Sequence, residues 1–171
     1  MVGTLLVLLS GCSGNSQNPE QSTQDDGFNE VTAIEMTLRW RVTGETLEVE
    51  LESPATGWVA VGFDPSSMMQ DANFILAYVK DGEVSARDDF GTWLTSHQSD
   101  ESLGGTMDVS DLSGDETDDG TTVRFTIPLD SGDEYDRPLR SGETYTVLMA
   151  YSEADDFQTV HRDKTSVEIE L

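Results

Sequence analysis

At residues 58–63 the sequence reads Trp58-Val59-Ala60-Val61-Gly62-Phe63, a run with no charged or hydrogen-bonding polar position apart from the Trp58 indole. Successive side chains of a strand point to opposite faces, so a run of this kind is typical of a strand buried on both sides. Turn-forming residues at 53–57 and 64–67 flank the run and set its ends. The segment therefore predicts a central strand of a β-domain.

Outward from this strand, apolar and polar residues alternate with a period of two, which indicates half-buried strands. The alternation is clearest over 34–42 and 47–51, which a turn at Thr43-Gly44-Glu45 joins as a hairpin. Further strands are predicted at residues 74–79, 84–90, 123–129, 145–149 and 167–171. Short strands separated by turns predict an all-β fold, an immunoglobulin-like antiparallel β-sandwich. The polar, acidic stretch 91–121 predicts a long loop, with at most a short strand near Met107.

The charge of the chain limits its partners. The 171 residues include 34 acidic and nine basic side chains, which give a formal net charge of −25. Such a surface repels nucleic acid and anionic lipid, which excludes both as partners, and it would favour a basic protein partner. An acidic surface with few lysines is also typical of adaptation to brine, and this alternative explanation of the charge stays open.

The counts of cysteine and histidine exclude several kinds of site. Cys12 is the single cysteine, so an intrachain disulfide, Cys-x-x-Cys-His attachment of c-type haem and thiolate-rich metal sites are excluded. His97 and His161 are the only histidines, which excludes a three-histidine metal site, and neither lies in a serine-hydrolase motif. Acidic residues are too abundant for any pair of them to indicate catalysis. We therefore expect a domain that is not an enzyme by itself.

The first thirty residues predict an export signal and a tether. Residues 4–9 form a short apolar run, and Leu9-Ser10-Gly11-Cys12 resembles the lipobox of bacterial lipoproteins, in which the cysteine is lipidated. Residues 1–12 are thus interpreted as a lipoprotein signal that ends at Cys12, and an ordinary cleaved signal is the alternative. Residues 13–30 are polar and predict a flexible tether, followed by the domain at 31–171. We expect an extracytoplasmic protein that is anchored to the membrane by lipid.

Two features lie outside the pattern of the core. Met68-Met69 falls in a polar turn, where no core is evident for it to fill, and His161 falls in a polar segment near the C-terminus. A thioether sulfur and an imidazole nitrogen together form a ligand set of electron-transfer haem proteins. Packing on the rim of the sandwich is the alternative explanation for the methionines.

Several segments resemble the DOMON family. Residues 56–63 resemble its Gly-Trp-x-x-x-Gly-Phe strand. Residues 69–73 resemble its Met-x-x-Ala-Asp segment, with Asn73 in place of the aspartate, and residues 144–151 and 156–161 resemble its closing strand and histidine loop. The resemblance extends over 34–171, nearly the whole predicted domain.

The resemblance implies a β-sandwich that binds either haem or sugar. In haem-binding members, among them the cytochrome domain of cellobiose dehydrogenase, a methionine and a histidine are the axial ligands of the iron. By position, Met69 and His161 would hold a haem b, with Met68 as the alternative to Met69 because a shift of one residue reverses the face of a side chain. This implies single-electron transfer with a redox partner protein.

Two other functions remain open. A sugar-binding module of the same fold would use aromatic side chains such as Trp58, Trp93 or Tyr151 as stacking platforms. A lipoprotein that only acts as a scaffold in a larger complex would need neither ligand. Trp58 is expected in the core beneath the pocket, and His97 is expected to be an exposed loop residue.

Overall fold

The computed structural model describes residues 19–23 and 26–171, and the predicted signal with its Cys12 lies outside them. Within these residues the chain forms twelve strands and one helical turn. In chain order they are β1 (Ser22–Thr23), β2 (Asn29–Ala33), β3 (Met36–Thr43), β4 (Thr46–Ser53), β5 (Val59–Phe63), β6 (Asn73–Lys80), β7 (Glu83–Trp93), β8 (Ser96–Ser99), α1 (Asp100–Leu103), β9 (Ser110–Thr117), β10 (Gly120–Pro128), β11 (Thr144–Tyr151) and β12 (Asp163–Glu170).

The strands form two antiparallel sheets of six strands each. The first has the order β1-β2-β3-β4-β10-β9 and the second the order β12-β11-β5-β6-β7-β8. Buried side chains of both sheets meet in one core, whose largest members include Trp40, Phe63, Ile75 and Met149. The predicted antiparallel β-sandwich is confirmed.

The second sheet is apolar on both faces, as the run at 58–63 predicts. Val59, Val61 and Phe63 of β5 point into the core between the sheets. Trp58 and Ala60 belong instead to a second buried cluster on the outer face, together with Ala72, Phe74 and Leu76. We call this second cluster the outer cluster. A sandwich needs only one apolar face per sheet, so the outer cluster requires its own explanation.

The structure corrects two expectations about polar segments. The stretch 91–121 is not a long loop: it contains the end of β7, then β8, α1 and β9, while Met107 lies in no strand. The edge strand β9 was missed because it has no apolar alternation and is held by its backbone pairing with β10. In the predicted tether, β1 pairs with β2, so the described sheet begins at Ser22 and not at residue 31.

The described residues contain no helix that is long and apolar enough to span a membrane.

Candidate haem pocket

The outer cluster forms the floor of a cavity of about 410 Å³ on the outer face of the second sheet. Its volume lies within the range of about 300–1,000 Å³ that small-molecule and cofactor sites occupy. Apolar side chains of the inner strands β5, β6 and β11 and of Trp58, just before β5, make the floor: Trp58, Ala60, Phe74, Leu76, Leu148 and Ala150. One rim carries polar side chains and the other carries methionine and histidine side chains, so the cavity is an apolar pocket with possible ligand atoms at its edges.

One rim contains His161, in the segment that leads into the edge strand β12. Trp58 holds this segment in place, because its indole Nε1–H donates a hydrogen bond of 3.0 Å to the carbonyl oxygen of Thr159. Gly57 lets the backbone of the segment after β11 pass close to the chain just before β5, since a Cβ on Gly57 would lie 2.4 Å from the backbone nitrogen of Ala154. Gly57 and Trp58 therefore position the histidine segment against the floor of the pocket.

The environment of His161 favours the form of imidazole that binds metal. The ring is half-buried, and burial lowers the pKa of His161, with the positive charge of nearby Lys164 lowering it further. A depressed pKa keeps the ring neutral near physiological pH, and neutral imidazole is the species that ligates iron. Lys164 also lines the pocket, beside Thr165 and Ser166 of β12.

The opposite rim contains the turn with Met68 and Met69, held against the end of β7. The backbone N–H of Met69 donates to the carbonyl of Leu94 over 3.3 Å, and that of Asp71 donates to the carbonyl of Gly91 over 2.8 Å. Gly91 permits this contact, because a Cβ on it would lie 1.7 Å from the carbonyl oxygen of Met69. The turn is therefore fixed by backbone contacts that only glycine allows.

The two methionines of this turn differ in their surroundings. Met69 is half-buried and packs against the outer cluster, whereas Met68 is 56% exposed and has a positive φ of 53°. Both contribute to the lining of the pocket. The packing distinguishes Met69 as the methionine whose side chain extends over the apolar floor.

A second histidine, His97, also lies on this rim. Its ring is 5.5 Å from the ring of Phe74, measured between centroids, and its Nδ1 is hydrogen-bonded to the carboxylate of Asp89. Asp89 is fully buried and accepts two further bonds, of 2.5 and 2.6 Å, from Arg87. Burial alone would raise the pKa of Asp89, but the hydrogen bonds from His97 and Arg87 hold it below its usual value.

A model of the DOMON domain matches residues 33–152 of this chain. The chain belongs to the DOMON family. Its fold is similar to that of the cytochrome domain of Myriococcum thermophilum cellobiose dehydrogenase, with a TM-score of 0.66, 13% identity, and coverage of 92% of this chain and 90% of the other. It is also similar to the cytochrome b domain of pyranose dehydrogenase from Coprinopsis cinerea, with a TM-score of 0.65, 11% identity, and coverage of 89% and 87%. No curated protein matches the sequence significantly.

In this DOMON domain the pocket brings together Met69 and His161, the two ligands that the sequence predicts. Met69 follows the end of β5, and the segment with His161 lies near the beginning of β5. Trp58 lies in the floor and is buried, as expected. Of the aromatic residues considered for sugar stacking, Tyr151 is also buried, and only Trp93 is exposed, by 62%.

The prediction that His97 is an exposed loop residue is wrong. It lies on β8, its side chain is 25% exposed, and it lines the pocket. The available signal was Arg87-Asp88-Asp89: three consecutive charges in a strand with neighbours on both sides require buried partners, and His97 is one of them.

Proposed function

We propose that this DOMON domain binds one haem b in the pocket and transfers single electrons outside the cytoplasm. The observation that carries the proposal is the placement of Met69 and His161. These residues are far apart in the sequence, yet they line one apolar cavity from opposite ends of strand β5. When bound, the haem would supply a reversible one-electron couple at its iron.

The residues of the pocket fit this cofactor. The Met69 thioether and a neutral His161 imidazole would hold the iron, a ligand set that suits electron transfer better than oxygen binding. The floor of Trp58, Phe74 and Leu76 would contact the porphyrin face or edge and exclude water from it. Lys164 offers a positive charge at the rim for an acidic substituent of the ring.

The net charge and the N-terminal sequence support the proposed redox partner and the proposed location. The net charge of −25 would attract a basic redox partner, and lipidation at Cys12 would hold the domain at the outer surface of the membrane. The domain would need no catalytic centre of its own, because it would receive electrons from one protein and pass them to another.

The test is the absorption spectrum of the protein expressed with export and a supply of haem. We expect a red protein whose reduced form shows the sharp bands of six-coordinate low-spin haem. His161→Ala should abolish or greatly weaken haem binding while the β-rich circular dichroism spectrum is retained. A folded wild-type protein that stays colourless when titrated with haem would refute the proposal.

A further inference from the structure

Two buried carboxylates and one half-buried carboxylate meet in a group that does not line the pocket. They belong to Asp88 of β7, Asp100 at the start of α1, and Asp136 in the segment between β10 and β11, and a donor oxygen from each lies within 4.8 Å of the others. Asp88 is 3% exposed and Asp100 is fully buried. We call this group the carboxylate cluster.

The carboxylate cluster has no basic partner among the described residues, where every ion pair of Lys, Arg or His involves other acids. One oxygen of Asp88 accepts the backbone N–H of Asp108 over 3.0 Å, and Asp136 accepts the Ser131 hydroxyl. The other oxygen of Asp88 and both oxygens of Asp100 are buried without a hydrogen-bond partner in the protein. Buried acidic oxygens in this state carry a large desolvation cost unless something compensates them.

Asn73 supplies an observation that is independent of the acids. It is 6% exposed, and its side chain is directed at the cluster, with its Nδ2 2.6 Å from an oxygen of Asp136. Its side-chain carbonyl oxygen is buried and has no partner. A neutral amide oxygen cannot be compensated by adding a proton, so it requires either a donor or a cation.

Protonation alone would not resolve the arrangement. Burial raises the pKa of Asp88 to about 8 and that of Asp100 to about 7, with neighbouring acids contributing in the same direction. Each added proton removes one charge and provides one donor to one acceptor, so a single proton cannot satisfy the four unpartnered oxygens of Asp88, Asp100 and Asn73. A cation placed among the oxygens would compensate the charge and all the unpartnered oxygens together.

We propose that Asp88, Asp100 and Asp136, with the side-chain oxygen of Asn73, bind a calcium ion. All the candidate ligands are oxygens, which suits a hard cation, and no nitrogen or sulfur ligand is present of the kind that zinc prefers. Calcium accepts six to eight oxygen ligands in flexible geometry, whereas magnesium demands a near-ideal octahedron and keeps its water. The ion would join β6, β7, α1 and the segment after β10, and the proposal does not rest on haem binding.

The test compares melting temperatures of the full chain, freed of metal with a chelator, before and after the addition of CaCl₂ or MgCl₂. About 1 M NaCl should be present, because it shortens the Debye length to about 3 Å and suppresses diffuse binding to the acidic surface. Asp100→Asn removes one negative charge from the proposed site and leaves a single side-chain oxygen at that position. Asp115→Asn makes the same chemical change at an exposed position of β9 and is the matched control.

At a concentration about 100-fold above its dissociation constant, calcium should raise the melting temperature of the wild type and of Asp115→Asn by about 5–10 °C. Asp100→Asn should bind calcium about tenfold or more weakly, so its shift at the same calcium concentration should be at most about half that of the wild type. Without calcium it should melt above the wild type, because one buried like charge has been removed. Magnesium should give a smaller shift than calcium.

The proposal is overturned if the wild type does not respond to calcium, or if Asp100→Asn responds to the same extent. A magnesium response equal to that of calcium would overturn the assignment of the ion. Should Asp100→Asn fail to fold, Asn73→Asp provides the second variant: a fourth carboxylate should lower the half-saturating calcium concentration by about tenfold or more. An unchanged or higher value would contradict the proposed ligand set.

Discussion

Gly91→Ala would disturb the turn that carries Met69 without altering either proposed iron ligand. The new Cβ would lie 1.7 Å from the carbonyl oxygen of Met69, whereas ordinary contact begins at 3.4 Å, so the turn must retreat. Three backbone hydrogen bonds hold it in place: Met69 to Leu94, Asp71 to Gly91, and Gly91 to Ala72, at 3.3, 2.8 and 2.8 Å. At about 1 kcal/mol each, their loss would lower the free energy of unfolding by roughly 3 kcal/mol.

For a domain of this size, that loss corresponds to a decrease of roughly 6–12 °C in the melting temperature. Circular dichroism would measure it, and the reduced absorption spectrum of the same variant should show that haem, if retained, has lost its sulfur ligand. The control is Gly82→Ala, where a Cβ meets no atom within 4 Å and the cost is limited to the positive φ of 78°. This control should keep the wild-type spectrum.

The reasoning about the Met69 turn would be refuted if Gly91→Ala kept both the stability and the spectrum of the wild type. Such a result would mean that the turn has a second position from which its methionine can reach the pocket. A loss of stability with an unchanged spectrum would place the iron ligand elsewhere than on this turn.

Four further outcomes are expected. Met69→Ala should retain haem but lower its reduction potential by on the order of 0.1 V, within the ~0.8 V range that axial ligands set. A larger spectral change in Met68→Ala would contradict the choice of Met69 as the ligand. His97→Ala should lower the free energy of unfolding, measured with urea, by about 1–3 kcal/mol, because the buried Asp89 loses a hydrogen-bond donor. The absorption bands of the haem should keep their positions, and shifted bands would indicate that His97 is a ligand. Between about 0.01 and 1 M NaCl the Debye length falls from about 30 to 3 Å, so screening should raise the melting temperature by several degrees, and a constant value would contradict mutual repulsion of the acids. Cys12→Ser should release the protein from membranes into the soluble fraction, and unchanged retention would argue against the lipobox.

The sandwich could be predicted from sequence wherever burial decided the choice of residue. The strands β3 and β4 alternate because one face of each is wet, and β5 is apolar throughout because it has the core on one face and the outer cluster on the other. The edge strand β9, Ser-Asp-Leu-Ser-Gly-Asp-Glu-Thr, carries no such pattern. Its position depends on backbone hydrogen bonds to β10, which leave almost no trace in the choice of side chains.

The candidate site could be predicted only in part, for a related reason. Met69 and His161 were identified through resemblance to the DOMON family, since neither residue type indicates a haem ligand by itself. The approach of the two rims depends on long-range contacts, such as that from Trp58 to Thr159, which no local pattern encodes. His97 lies in a short polar strand, Ser-His-Gln-Ser, and only its buried partner distinguishes it from a solvent-exposed residue.

The charged residues of β7 show what a sequence does reveal about buried polar sites. This strand lies between β6 and β8, and Asp88 and Asp89 follow each other in it with almost no exposure. Because consecutive side chains of a strand point to opposite faces, the two carboxylates must enter different environments. Asp89 lies on the outer face with Arg87 and His97, where its charge is compensated, and Asp88 lies on the inner face with acids alone. Among the described residues, basic side chains pair only with Asp89 of these two acids, and the proposed calcium ion would compensate Asp88.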